Sequence, residues 1–559
     1  MKTWWKEGIV YQIYPRSFQD SNGDGIGDIP GIISRLDEIA ELGTRTIWLS
    51  PVYKSPQIDN GYDISDYYSI DPVFGTMADM ERLIKEAKNR NIGIVMDLVV
   101  NHTSDEHEWF QKSRRREAPY EDYYIWKKSP NNWTSFFMED AWEYDEVRGE
   151  YYLHLFHKKQ PDLNYHNPQV IEEVKKILRF WLDKGVTGFR CDVINVLWKT
   201  SLEDGKKSIM LTGLEHYKCQ EGNHEILRQL RQDVLDKYDC FTVGETAMVN
   251  LEEAKLLSDE ARRELNMVFY FDHLEADRVF ARFVPKKFRA KELLKRLAKW
   301  QQGLEWNALY LENHDQTRIV SHYGDDRGAG EHDTPWERSA KLMAALLLTL
   351  RGTPFIYQGQ EIGMTNFYFH SLDQVKDIES HNLNRLMKKL HVPKSLRWKW
   401  LRLSSRDNSR TPYQWDNVPG AGFSSAAPWL GINANYQTLN HKAQKDDPDS
   451  VLSFYQRMIN LRASGETLRY GEFKPLLATN SLLMYSREMA PVLQTAQTGM
   501  EKAQVFIAAF NFSSRRIKLS GEARMLLQGK VAVSNIGRTH WDNSETALEA
   551  WEALLLQVN

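Results

Sequence analysis

The chain has 559 residues, with 72 Lys and Arg against 76 Asp and Glu, a formal net charge of −4 and 42% hydrophobic residues. Such a length exceeds one ordinary domain, so several domains or one barrel with insertions is expected around a substantial core. The charge balance excludes an electrostatic case for nucleic acid or an anionic membrane as partner, and the densest basic cluster, Arg114 to Arg116, is too short to form a patch.

In chain order, the opening MKTWWKEGIVYQIYP places Trp4, Trp5 and Lys6 where a signal peptide would need an uninterrupted apolar stretch. A cytoplasmic location is expected. DSNGDGIGD follows, in the pattern D-x-N-x-D-G-x-x-D. It reads as an oxygen-rich calcium loop with Asp20, Asn22, Asp24, the Ile26 carbonyl and Asp28 as ligands, although Gly31 stands where an EF-hand has its twelfth-position Glu. Short β-branched and aromatic runs then recur, each followed by helix-period sequence: GIVYQIYP (8–15), TRTIWLSP (44–51), GIVMDLVVNH (93–102), GFRCDVIN (188–195), CFTVGET (240–246), MVFYFDH (267–273), NALYLENHD (307–315) and TPFIYQGQE (353–361). Eight strands alternating with helices at 32–42, 78–90, 169–184, 223–237 and 336–351 predict an α/β fold, a parallel (β/α)8 TIM barrel. Its strands are apolar because helices cover one face and the barrel interior the other.

The gap 103–168, between the third and fourth strands, is too long for a loop and reads as an inserted small domain. The barrel then takes residues 1–102 and 169–477, and the alternating segments from 478 to 559 predict a C-terminal antiparallel β-sandwich domain. LMAALLLTL (342–350) is half the length of a membrane span and reads as a buried helix. Cys191, Cys219 and Cys240 are too few for a disulfide framework and lack metal-ligand spacing, which suits a reducing compartment.

Polarity enters this apolar pattern mostly at strand ends. Asp97, Asn101, His102, Arg190, Asp192, Glu245, Asp272, His314, Asp315, Gln358 and Glu361 lie on these runs, where a barrel of this kind gathers its active site. In a strand, Arg190 and Asp192 point to the same side while Cys191 points away. Converging carboxylates without a Cys or His cluster suit a reaction in which one carboxylate attacks, one transfers a proton and one stabilises positive charge.

YQIYPRSF, DNGYDISDY, DLVVNHTS, QPDLN, GFRCDVIN, VGET, ENHD, GTPFIYQGQEIGM and SRDNSRTPYQWD together resemble the motifs of the α-amylase superfamily, glycoside hydrolase family 13, and most closely its oligo-1,6-glucosidase and α-glucosidase branch. The resemblance implies Asp192 as nucleophile, Glu245 as general acid and base, and Asp315 as the third carboxylate. It implies that Arg190 keeps Asp192 ionised and oriented, that Tyr62 stacks on the terminal glucose, and that His102 and His314 bond its hydroxyls. Asp59 and Arg406 would close the pocket around the non-reducing end, with Phe137, Phe156 and Gln160 lining it from the inserted domain. Val193 matches the branch preferring α-1,6 bonds, and the DSNGDGIGD loop binds calcium in similar glucosidases. The implied protein is a monomeric exo-acting retaining glucosidase of isomaltose and short isomalto-oligosaccharides, with structural calcium and no organic cofactor.

An α-1,4-preferring glucosidase, a trehalose-6-phosphate hydrolase and a sucrose- or trehalose-forming isomerase share the same motifs, although the R-L-D-R-D loop associated with sucrose isomerases is absent. The family's non-enzymatic relatives, heavy chains of amino-acid transporters, need a membrane span. Three stretches depart from the family pattern: FFMEDAW (136–142), where Gly-Gly-Ser often precedes Ala-Trp; LNYHNP (163–168), where Trp-Glu is usual; and Thr317, where Pro is common.

Overall fold

The computed structural model describes residues 3–208, 210–279, 284–489, 504–542 and 544–558. Eight strands form the central sheet: β1 Val10–Ile13, β2 Thr46–Leu49, β3 Gly93–Leu98, β4 Gly188–Cys191, β5 Phe241–Glu245, β6 Met267–Phe269, β7 Ala308–Leu309 and β8 Thr353–Tyr357. They pair in parallel in the order β6, β5, β4, β3, β2, β1, β8, β7. Strands β6 and β7 lie side by side, so the barrel is nearly closed, as expected. Every residue of β1, β2 and β8 is buried, the consequence of covering both faces of a parallel sheet.

The outer helices start on strong local signals. Thr76 and Asp79 make a reciprocal capping box for Met77–Asn89, and the Asn167 side chain caps Pro168–Asp183, whose first residue is the Pro that helices favour there. Pro335–Thr349, which contains most of LMAALLLTL, is apolar almost all round because it packs against both another helix, Val451–Ser464, and the C-terminal sheet.

Two expected strands end early. β4 stops at Cys191, so Asp192 opens a turn instead of continuing the strand, and NALYLENHD contributes only Ala308 and Leu309 to the barrel. In both places the chain must bend to bring polar groups over the barrel mouth.

Between β3 and β4 sits a three-stranded antiparallel sheet, Trp126–Lys127, Glu150–Leu153 and Trp142–Asp145. After β8 come two helices, Ile378–Lys389 and Lys394–Ser404, packed on each other. The C-terminal sheet has five antiparallel strands, beginning with Glu472–Ala478; residues 490–503 of the expected C-terminal domain lie outside the described residues.

One buried cation ties the inserted unit to the barrel. Lys199, 3% exposed and just beyond β4, directs Nζ at Asp162 Oδ2 (2.7 Å), Asn101 Oδ1 (2.9 Å) and the carbonyls of Val196 (3.0 Å) and Leu197 (3.3 Å). Asp162 in turn accepts from Leu155 N at 2.9 Å, inside the inserted unit. Removing one partner strands the other as an uncompensated buried charge. Lys199→Met should therefore destabilise the protein by about 3–5 kcal/mol in urea unfolding, and Asp162→Asn should cost much less in the Lys199→Met background than alone.

Candidate active site

At the C-terminal mouth of the barrel, one guanidinium holds three carboxyl groups. Arg190 Nη1 lies 2.7 Å from Asp97 Oδ1 and 2.6 Å from Asp192 Oδ1, while Nη2 bonds Glu245 Oε2. The side chain is fully buried, and Nε has no acceptor, so its hydrogen bonding is concentrated on the carboxyls. Strand pairing explains the meeting: Arg190 pairs with Asp97 across β3 and β4, and Gly244 beside Glu245 pairs with Cys191 across β4 and β5.

Burial raises both Glu245 and Asp192. Glu245 is pushed up to about 8, first by desolvation and then, against the pull of Arg190, by the negative charges of Asp192 and Asp315. Asp192 is pushed up to about 7 by desolvation, with Arg190 opposing and Asp97 adding repulsion. The two also share a hydrogen bond that favours the proton on Glu245 and the charge on Asp192. The proton and the negative charge thus have preferred places within one coupled pair, an asymmetry that suits one donor and one nucleophile.

Above this floor opens a pocket of about 250 Å³. Ten of the residues expected from the sequence line it: Asp59, Tyr62, His102, Phe137, Phe156, Asp192, Val193, Glu245, Asp315 and Arg406. Arg190, Gln160 and His314 lie behind that wall, each at most 1% exposed. His314 stacks on Tyr62 with ring centroids 5.3 Å apart and planes 4° from parallel. Gln12 Nε2 donates to its Nδ1 at 2.8 Å, leaving Nε2–H for the Tyr62 hydroxyl at 2.7 Å, which donates onward to Asp97 Oδ2 at 3.1 Å. Burial pushes His314 down to about 3, so the ring stays neutral. Tyr62 is thereby fixed with one face toward the pocket. Gln160 Nε2 reaches Asp59 Oδ2 at 3.3 Å and His102 Nε2 at 3.2 Å, bracing two wall residues from behind.

A second arginine cluster reaches the same pocket through Arg406 and Asp315. Arg406 lies 3.2 Å from Asp315, 3.6 Å from Asp59, 2.7 Å from Asp377 and 3.6 Å from Glu379, and Arg410 Nη2 lies 2.6 Å from the same oxygen of Asp315. Burial works to raise Asp377, but the charges of Arg406 and Arg410 and the Ser380 hydroxyl hold it well below the usual carboxylate range. Asp59 is raised by burial despite both arginines.

Much of the remaining lining is apolar, with Phe136, Met210, Leu211, Met248, Leu274 and Leu403 among it. Val193 adjoins them with φ +35°, left-handed backbone that a β-branched residue rarely adopts and that costs about 1–3 kcal/mol. It is held there by packing against Trp142, Leu155 and other residues of the inserted unit, together with Val196.

A polar, carboxylate-floored pocket on a (β/α)8 barrel fits many chemistries. Residues 12–471 match the family model described as alpha amylase, catalytic domain. The chain belongs to the α-amylase family. It is a glycoside hydrolase. An oligo-1,6-glucosidase from Parageobacillus thermoglucosidasius is 50% identical over 492 residues, covering 85% of this chain and 86% of that protein. Crystal structures of trehalose-6-phosphate hydrolase from Bacillus licheniformis and isomaltulose synthase from Klebsiella sp. superpose with TM-scores of 0.90 and 0.92, each at 38% identity, with 100% of this chain covering 100% and 99% of theirs.

Several site residues of this glycoside hydrolase lacked an assigned role in the sequence reading. Arg410 follows Arg406 by four residues in SRDNSR, and the turn Asp407–Arg410 puts both guanidiniums on Asp315; that spacing was the available signal. Asp97 was visible as a charge in an apolar strand, but its partners were not. Asp377 and Glu379 begin the helix after β8 in sequence without motif character, and nothing local marks them.

The acidic loop near the N-terminus lies apart from the pocket. Asp20 accepts from the amides of Asn22, Gly23 and Gly25 and from Ser424 Oγ at 2.6 Å, Asp24 accepts from Ile26 N, and Asp28 accepts from Ser21 and caps the helix Ile29–Ser34. Among the described residues, no three His, Cys, Asp or Glu side chains are gathered to hold a metal ion. The donors are all oxygens of the kind a hard cation takes, yet here they mostly satisfy the loop's own amides.

Asp97 is the charge whose removal separates the two carboxyl titrations. With Asp192 as nucleophile and Glu245 as proton donor, as the family resemblance implies, kcat/KM should rise on the acid side as Asp192 ionises and fall on the basic side as Glu245 loses its proton. Asp97 repulsion raises Asp192, so Asp97→Asn should move the acid limb to lower pH with less movement of the basic limb, measured with a chromogenic α-glucoside at constant ionic strength. An acid limb that stays in place or moves up would contradict this electrostatic picture.

Proposed function

We propose that the protein is an exo-acting, retaining α-glucosidase that cleaves α-1,6 bonds at the non-reducing end of isomaltose and short isomalto-oligosaccharides. The observation that carries the reading is the pair Asp192 and Glu245 on one guanidinium, both carboxyls lining the same pocket. Retaining glycosidases use two carboxyls about 5–5.5 Å apart, one attacking and one protonating the leaving oxygen. In this reading the entering sugar parts the hydrogen-bonded pair. Glu245 gives its proton to the glycosidic oxygen while Asp192 attacks the anomeric carbon from the opposite face. Glu245, now ionised, takes a proton from water as that water releases glucose from Asp192.

Exo action is supported by Asp59 and Arg406, 3.6 Å apart in the pocket wall, the pair that the family resemblance assigns to the non-reducing end of the sugar. The α-1,6 preference is supported by the relatives named oligo-1,6-glucosidase and by Val193, whose branched side chain narrows the acceptor side. The trehalose-6-phosphate reading has weaker support: among the described residues, the Lys and Arg side chains lining the pocket are Arg278 and Arg406. Arg406 is held by acids, and Arg278 contacts Asp277 at 3.3 Å and His322 at 3.3 Å. An acceptor phosphate would find little uncommitted positive charge.

Calcium at Asp20, Asn22, Asp24, the Ile26 carbonyl and Asp28 is part of the proposal, as are a monomeric state and a cytoplasmic location. Support for the ion is the oxygen-only donor set; the lack of a membrane-spanning helix among the described residues accords with a protein free of the bilayer.

Glucose release should be faster from isomaltose than from maltose or trehalose 6-phosphate, and Asp192→Ala should abolish it. Faster cleavage of maltose would overturn the linkage assignment, and faster cleavage of trehalose 6-phosphate would replace the substrate. For the ion, added calcium should raise the unfolding temperature of chelator-treated protein, and Asp24→Ala should remove that rise. An unfolding temperature indifferent to calcium would remove the metal from the account.

A further inference from the structure

Phe136 and Phe137 line the catalytic pocket, and the next three residues, Met138, Glu139 and Asp140, line a different cavity of about 610 Å³. It lies between the inserted unit and the helix Ile378–Lys389. This is the stretch where the chain departs from the Gly-Gly-Ser of its family. Met138 keeps the left-handed backbone, at φ +64°, and two acids replace small residues.

The wall carries three acids, Glu139, Asp140 and Glu143, and three bases, Lys158, Arg385 and Lys389, so its formal charge sums to zero. Two pairs, Glu139 with Arg385 across the cavity at 2.9 Å and Glu143 with Lys158 within the inserted unit at 3.6 Å, are solvent-accessible and easily exchanged for hydroxyl partners. Two imidazoles add opposite functions. His154 gives Nδ1–H to the Phe156 carbonyl at 3.0 Å, which makes Nε2 an acceptor; His157 Nδ1 accepts from Lys159 N at 3.2 Å, which makes Nε2–H a donor. Burial lowers both pKa values, keeping the rings neutral. Trp142 supplies a ring edge or face among these polar groups.

Balanced charge disfavours an anion or cation, and closely spaced donors and acceptors around an aromatic suit vicinal hydroxyls. We propose that this cavity is a second, non-catalytic sugar site that takes glucose units of a neutral oligosaccharide. The inference goes beyond the hydrolytic reading, and its test measures binding without turnover. Asn382 Nδ2 donates to the Phe137 carbonyl at 3.1 Å, so the helix on one wall of this site also holds a residue of the catalytic pocket.

Equilibrium dialysis of labelled isomaltotriose against the Asp192→Ala protein should give two sites per chain. Excess deoxynojirimycin, a glucose-shaped iminosugar, should empty only the catalytic one. The remaining site should weaken at least tenfold in Asp192→Ala carrying Glu143→Ala and Lys389→Ala, and gluconate or glucosamine should not displace sugar from it. A single site emptied by the iminosugar, a second site untouched by those two substitutions, or displacement by either charged sugar would each overturn the proposal. Because the readout is occupancy, failure of the α-1,6 assignment would appear in glucose release and leave this result standing.

Discussion

A buried guanidinium shared by three carboxyl groups is the interaction on which the site depends. Arg190 cannot lose its proton under any ordinary condition, so its charge is a fixed quantity around which Asp97, Asp192 and Glu245 settle. With Glu245 holding the shared proton, two ionised carboxylates face one cation, which leaves one unit of negative charge uncompensated. In the proposed mechanism that residue of charge sits where a glycosyl centre becomes positive as its bond breaks, and a water-poor setting magnifies its effect. The same arginine that orients the nucleophile is therefore kept from neutralising the cluster. Asp97 is the member that makes the difference: it touches Arg190, Tyr62 and Trp48 and has no place in the pocket wall.

The second cluster has a different composition. Arg406 and Arg410 together face Asp315, Asp59, Asp377 and Glu379, and Asp377 is also the cap of the helix Ile378–Lys389. Its geometry is set by elements far apart in the chain: the loop after β2, the turn after β7 and the segment after β8. Chemistry at the floor thus belongs to adjacent barrel strands, while the second cluster belongs to loops. Loops can vary without disturbing strand pairing, and so relatives of the same fold carry names with different substrates.

Much of the floor was legible because barrel strands are short and apolar, so each charge in them stands out. Arg190 beside Asp192, Glu245 ending VGET and the acids of ENHD were visible on those terms. What was not legible depends on distance in sequence. Strand β7 is two residues long, because the backbone turns after Leu309 to carry His314 under Tyr62; periodicity alone gives no warning of that turn. Nor does it reveal that His314 is enclosed, since a histidine in a polar motif reads as a ligand contact until its neighbours are known. Val193 looked like an ordinary strand residue, whereas its left-handed backbone comes from packing contributed by residues inserted 40 or more positions earlier in the chain, such as Trp142. Asp377 had no signal at all, being one acid in a mixed helical stretch.

Lys199 gathers four oxygens around one nitrogen, two of them main-chain carbonyls, as a bound cation would. Because the nitrogen that carries this positive charge is covalently attached to the chain, it cannot be diluted away, exchanged for a rival ion or stripped by a chelator. This attachment of the inserted unit to the barrel therefore asks nothing of the mineral content of its surroundings, whatever a calcium ion contributes at the loop 20–28.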